Sequence, residues 1–430
     1  MIISADDVSE YLAPQTEGVR LVVEIDRMSD SKREARATVD GVTLAAAVEI
    51  DTRLGSIEDA PQTANAYTSG DTGSERLGST LFGALFAGPL SSAWAQAVSL
   101  ARGGRGLRLV ISSPDPNIQA LPWELMRDSP SSPRPFALAD GWAIERETPR
   151  KYGDATIAPA GVAPADLRAL ALTTDVGVDQ QQDPLILRER FSPTHIDVVA
   201  DIDKRQLLGR LSRPDASIVH ILASGLTVRR GTQHLVVRGN TAPEEITAAE
   251  LRDAIEESPV RARLLVLAGC DTDLVAAGIA TVMPNVIGMR GKITDSGCAD
   301  FLRGLYQALA AGATIDQAVA SGRAQQVGFS RSLADEWALP VAFIGDPSPL
   351  VVPSPSASAP ATDAVERGVL ALTEPESSAD QIILDMKVSN LQALKEQWSS
   401  VEDEALPSFI RDQIAVLDDE VDRLGNGTRR

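Results

Sequence analysis

Cysteine, histidine and aromatic side chains are all scarce in this chain of 430 residues, which has two cysteines, three histidines and 4% Phe, Trp and Tyr together. Two cysteines, Cys270 and Cys298, are too few for a disulfide framework or a cysteine-rich metal site, and a reducing compartment fits them best. No metal and no cofactor is expected. The only glycine-rich stretch of interest, Gly103-Gly-Arg-Gly106, precedes a strand, whereas a phosphate-binding loop follows one. Positive charge is in the minority: 40 Lys and Arg against 60 Asp and Glu leave a net charge of -20. Such a surface repels phosphate and anionic lipid, which argues against nucleic acid or membrane as partner. Long apolar runs are missing too. The longest, Leu274 to Met289, is broken by Pro284 and Asn285 and falls short of the eighteen or so residues that span a bilayer. The start, Met1-Ile-Ile-Ser-Ala-Asp-Asp7, has no basic n-region, so a cytoplasmic protein is expected.

What the chain does have is 43% hydrophobic residues, enough for one main core and two short appendages. Residues 19–30 and 34–51 alternate apolar and polar around a charged turn, which predicts a β-hairpin in an N-terminal accessory region over 1–75. From Leu107 short Val/Ile/Leu runs alternate with helical stretches. The strands expected are 107–112, 167–173, 195–200, 218–223, 263–268, 285–289 and 341–344, with helices at 204–212, 248–256, 298–311 and 315–325 between them. That pattern predicts an α/β fold with a doubly wound, mostly parallel sheet over 76–347. Residues 348–363 are a Pro/Ser/Ala linker. Beyond it, over 364–430, a capping box at Ser378-x-x-Gln381 and apolar residues including Leu394 and Trp398 predict one helix. After Pro407 the spacing of Ile410, Ile414, Leu417, Val421 and Leu424 is a heptad seam on a second. This C-terminal helical hairpin is the expected contact for a protein partner, a second copy of the chain included, with docking on the chain's own main domain as the alternative.

Open α/β sheets place function at the carboxyl ends of their strands. Two such ends stand out, Ser217-Ile-Val-His-Ile-Leu-Ala-Ser-Gly225 and Leu264-Leu-Val-Leu-Ala-Gly-Cys-Asp-Thr272. Cys270 sits at a strand tip just before a helix, where N-terminal amides would stabilise a thiolate, and is the candidate nucleophile. Around it, in order, lie Gly78-x-x-Leu81, Leu121-Pro-Trp-Glu-Leu125, His220-Ile-Leu-Ala-Ser-Gly225, Ala268-Gly-Cys270, Val286-Ile-Gly-Met289, Asp295, and Tyr306-x-x-Leu309-x-x-Gly312. This ordered series resembles the CHAT domain, a caspase-like cysteine-peptidase fold related to separase and clostripain. The resemblance implies Cys270 as nucleophile, with Gly225 and Cys270 backbone N–H groups as oxyanion donors. It makes Trp123 and Glu124 a structural signature. Asp295 reads as a helix cap, with an acidic substrate pocket as the alternative.

One position departs from the family pattern. Where the family has the second histidine of His-x-x-x-His-Gly as general base, this chain has Ser224. A serine hydroxyl titrates far above neutral pH and cannot take the thiol proton. His220 lies four residues upstream, about 13 Å away at about 3.3 Å per residue, and is expected to be a structural histidine with its hydrogen bonds satisfied. His234, beyond the Arg229-Arg230-Gly231 turn, is the candidate for a displaced base, and His195 opens a different strand. Two readings follow. In the first, the chain is a catalytically degenerate caspase-like module, a scaffold or regulator in a bacterial signalling or defence assembly, binding protein through its C-terminal helices or its cleft. In the second, it is an active cysteine endopeptidase that uses Cys270 with His234, or a partner's residue, as base.

Overall fold

The computed structural model describes residues 18–352, apart from 51–72 and the short stretches 30–31, 87, 89, 103–104, 130–133, 140, 149–155, 165, 175–181, 230–231, 240–241 and 330–335. Contacts divide the chain into Met1–Ala357 and Ser358–Arg430, and every described residue belongs to the first unit. The expected C-terminal hairpin, with Leu394, Trp398, Ile410, Ile414, Leu417, Val421 and Leu424, lies outside the described residues.

Strand β1 (Val19–Ser29) buries Val19, Leu21, Val23 and Ile25 on one face, and β2 (Lys32–Val39) buries Ala35, Ala37 and Val39 opposite them. The N-terminal hairpin expected from the sequence needs correction here. Residues 34–51 are not one strand, because Asp40 and Gly41, at φ of 47° and 79°, make a tight turn inside the run. Strand β3 (Val42–Ile50) folds back on β2 and completes a three-stranded meander. The meander also extends the main sheet, since β1 pairs in parallel with β4 (Leu107–Ser112) from Val19↔Leu107 to Glu24↔Ser112. Helices α1 (Gly73–Phe86) and α2 (Ser91–Ala101) lie between β3 and β4 in sequence and pack on this part of the sheet through Leu81, Leu85, Ala93 and Ala97.

The chain continues through α3 (Pro116–Gln119), β5 (Trp142–Glu147), β6 (Thr156–Ile157), β7 (Ala169–Thr173), α4 (Gln182–Arg190) and β8 (Ile196–Val199). Next come α5 (Lys204–Leu211), β9 (Ile218–Leu222), β10 (Ser224–Arg229), β11 (Thr232–Val237), β12 (Glu244–Thr247) and α6 (Ala248–Glu256). The last elements are β13 (Val260–Arg261), β14 (Leu264–Ala268), α7 (Asp273–Ile279), β15 (Asn285–Met289), α8 (Asp295–Ala310), α9 (Ile315–Phe329) and β16 (Pro340–Ile344). Complete capping boxes start two of the described helices, Asp203 with Gln206 and Thr247 with Glu250.

Among the described residues, eleven strands form the main sheet in the order β3-β2-β1-β4-β5-β16-β15-β14-β9-β7-β8. All of β7, β9, β14, β15 and β16 are buried along their whole length, as near-continuous apolar runs require. Strand β16 runs parallel to β5 but antiparallel to β15. Apart from the antiparallel β3-β2-β1 meander at one end, the sheet is therefore two parallel blocks of opposite direction joined along that seam. In the second block, alternate residues separate two cores. Ile218, Leu222, Leu264 and Val266 face α4, α8 and α9, while Val219, Ile221, Leu265 and Leu267 face α5, α6 and α7. Among the described residues, no single helix is long and apolar enough to cross a membrane.

Candidate functional site

The two strand tips singled out by the sequence meet. Strands β9 and β14 pair in parallel from Ile218↔Leu264 to Leu222↔Ala268, and the same register carried two residues further sets Ser224 beside Cys270. Contact there is backbone on backbone. A Cβ on Gly269 would lie 2.0 Å from the Ala223 carbonyl oxygen, and one on Gly225 would lie 1.9 Å from that of Asp271, so only glycine fits either place. The Gly225 N–H donates to the Cys270 carbonyl at 2.7 Å, which engages one of the two expected oxyanion donors inside the turn.

After Cys270 the chain turns through Asp271 at φ 53°. The turn is held from behind. Asp271 N–H donates to Gly291 O (2.9 Å), Thr272 N–H to Met289 O (2.8 Å), and the buried Thr272 hydroxyl accepts from Met289 N–H (2.8 Å) while reaching Gly269 O (3.1 Å). Helix α7 follows, and Gln233 on β11 fastens it, accepting from Leu274 N–H and donating to Asp273 Oδ1, both at 2.9 Å.

The thiol of Cys270 is half-buried and donates to Ile293 O at 3.5 Å. Burial pushes its pKa above the ordinary thiol value, and the nearby carboxylates of Asp271 and Asp295 push the same way against the pull of the Ile293 hydrogen bond. The field at the sulfur opposes ionisation instead of promoting it. Asp295 is the first residue of α8 but not its cap: Thr294 is, its hydroxyl accepting from Gly297 N–H at 3.0 Å. Cys298, one turn into α8, is buried, and its thiol is pushed well above the ordinary range by burial and then by Asp183.

None of the three histidines offers its ring to Cys270. His220 is fully buried on β9, with Nδ1 2.7 Å from the Tyr306 hydroxyl and Nε2 3.1 Å from Asp183 Oδ2. With a hydroxyl at Nδ1 and a carboxylate oxygen at Nε2, both ring nitrogens have partners. His234 on β11 is 2.7 Å from Glu245 Oε2 through Nδ1. Its neighbour Gln233 reaches α7, so strand alternation turns His234 to the opposite face. His195 precedes β8, at the amino end of a strand parallel to the block that carries Cys270 at its carboxyl end.

Behind the turn lies a cluster of buried charge. Trp123 is fully buried and its Nε1–H donates to Ile118 O at 2.8 Å. Glu124, also fully buried, accepts from both terminal nitrogens of Arg146 and, at 3.4 Å each, from Arg290 and Arg323. Burial alone would raise its carboxyl, but Arg146, followed by Arg290 and Arg323, reverses that and holds it at about 2. Arg290 also places Nε 3.6 Å from Asp273, the first residue of α7. The cluster thus supports the element that leaves the Cys270 turn.

Compared with known proteins, the chain matches a family model described as the CHAT domain over residues 75–344, well over half its length. The chain belongs to the CHAT domain family. No curated protein is similar enough to this CHAT chain to count as a relative. Among solved structures it is similar to the Arg-specific cysteine proteinase gingipain R, at 13% identity over 60% of this chain and 68% of that one, with a TM-score of 0.40. It is also similar to the Saccharomyces cerevisiae separase–securin complex, at 12% identity and a TM-score of 0.35 over 59% of this chain and 17% of that one. The CHAT chain thus spans less than a fifth of the separase chain.

Of the CHAT blocks, the structure brings Ser224, Gly225 and Cys270 together and sets Asp295 within electrostatic reach of the thiol. His234 stands on the three-stranded side sheet of β10, β11 and β12, against Glu245. Sequence reading missed the partners that hold these blocks: Arg146, Arg290 and Arg323 around Glu124, and Asp183 beneath His220. An arginine directly after the apolar strand ending Met289, and another inside Trp142-Ala-Ile-Glu-Arg-Glu147, were the available signals.

Proposed function

We propose that this CHAT chain is a degenerate caspase-like module that binds protein and does not cleave it, serving as a scaffold or regulator in a bacterial signalling or defence assembly. The observation that carries this reading is the absence of an imidazole at Cys270. Ser224 occupies the general-base position, and His220 and His234 are bound to Asp183, Tyr306 and Glu245. A thiol whose pKa is raised, with no base to take its proton, is a poor nucleophile near neutral pH. The strand tips that carry Ser224, Gly225 and Cys270 remain in close backbone contact, which supports a site kept for binding without chemistry. The test compares the wild type with Cys270→Ala in a peptide-library and self-cleavage assay. Cys270-dependent turnover would overturn the proposal in favour of a working endopeptidase with a base from His234 or a partner. As a positive control, Ser224→His restores an imidazole at the vacated place and should speed Cys270 alkylation.

A further inference from the structure

We propose that Glu145 and Asp316 share one proton and act as a pH-sensitive latch between the sheet and the start of α9. The inference stands apart from the reading of the cleft. Glu145 on β5 is 1% exposed and Asp316, in the first turn of α9, is 5% exposed. A single guanidinium serves both: Arg108 on β4 places Nη2 2.8 Å from Glu145 Oε1 and Nε 3.1 Å from Asp316 Oδ2. That leaves two buried carboxylates on one cation. Each also keeps a second oxygen, Glu145 Oε2 and Asp316 Oδ1, buried and without a hydrogen-bond partner.

A proton corrects both faults at once. It removes the surplus negative charge and supplies the donor that an unpaired buried oxygen lacks. Other charged groups that act on Glu145 are few. Arg20 on β1 pulls toward ionisation but is itself paired with Glu147 at 2.7 Å. Arg323, two helical turns beyond Asp316, is engaged by Glu124. Burial pushes the Glu145 carboxyl up to about 7, with Arg108 opposing and Asp316 adding to the rise.

The folded chain therefore holds a proton that the unfolded chain has already lost between pH of about 4.5 and 7. Stability from this source is complete below that window and disappears as pH rises through it. The experiment follows urea unfolding of the full chain and of Glu145→Gln from pH 4.5 to 8. The glutamine is a neutral isostere that can donate to Asp316 permanently. The unfolding constant of the wild type should rise relative to the variant by on the order of a hundredfold across the window. Parallel pH profiles would overturn the proposal. A second measurement needs no variant: in protein labelled with 13C at glutamate carboxyls, one resonance should titrate near pH 7, and its absence would overturn the proposal equally. Amide exchange in the first turn of α9, corrected for intrinsic rates, should be faster at pH 8 than at pH 5.5; equal protection would refute the latch. Should Glu145→Gln fail to fold, Asp316→Asn takes its place, and the labelled resonance should then move toward the ordinary carboxylate range.

Discussion

Glu124→Gln replaces the one anion on which Arg146, Arg290 and Arg323 converge with a neutral group of the same shape, so packing is kept and charge is lost. The magnitude follows from the depressed carboxyl. Its fall from 4.5 to about 2 corresponds to roughly 3 kcal/mol at about 1.4 kcal/mol per pH unit, with no discount for solvent because the group is fully buried. This agrees with the roughly 3 to 5 kcal/mol usual when one partner of a buried ion pair is removed. The sign is that of a lowered acid. The stabilisation is present above a pH of about 4.5 and fades as pH falls toward 2, so the gap between wild type and variant should be widest near neutrality. Urea unfolding at pH 7 and at pH 3.5 reads both parts. With a slope of about 3 kcal/mol per molar urea, the midpoint should drop by about 1 M at pH 7. A loss below about 1 kcal/mol, or a gap that does not narrow in acid, would refute the account of Glu124 as the counter-ion of three buried arginines. Since Arg290 also reaches Asp273, the variant should alkylate faster at Cys270 under native conditions.

Three other outcomes are expected. Gly225→Ala forces a Cβ into the Asp271 carbonyl, 1.9 Å away, and should cost about 2 kcal/mol or more in thermal unfolding while exposing Cys270 to alkylation; a neutral substitution would mean the two strand tips are not in contact. The iodoacetamide rate at Cys270 should still be climbing at pH 9, as a raised thiol requires, and a plateau below pH 8 would reveal a stabilising partner for the thiolate. Deleting residues 364–430 should abolish partner recovery in pull-downs or lower the mass in light scattering; unchanged mass and partners would show that the C-terminal heptad seam is not the contact.

Strands of the second block were legible because they are buried on both faces, and an unbroken apolar run such as Leu264–Ala268 has few other readings. The expected bounds of β4 and β15 match the observed ones. Strand β5 escaped notice because Trp142-Ala-Ile-Glu-Arg-Glu147 carries three charges in six residues, which looks like an exposed segment. Its charges instead meet groups far along the chain: Arg146 bonds Glu124, and Arg108 bonds Glu145. The same distance hid the partners of His220, which lie 37 and 86 positions away at Asp183 and Tyr306. That a buried histidine had to be satisfied could be reasoned from the sequence; by whom could not. The Asp40-Gly41 turn was a different case. Its dipeptide is among the strongest hairpin signals, and the alternation on either side masked it.

The parallel pairing of β1 with β4 separates two kinds of boundary. The family match begins at residue 75, yet the hydrogen-bonded rim of β4 is completed by residues 19–24. A fragment cut at the start of the match would strip the meander and leave the backbone of Leu107–Ser112 as an open edge. Such an edge is a template for pairing with another copy, and the fragment would be prone to assemble through it. Homology marks where the shared blocks start, while the folding unit starts where the last strand that covers the sheet does.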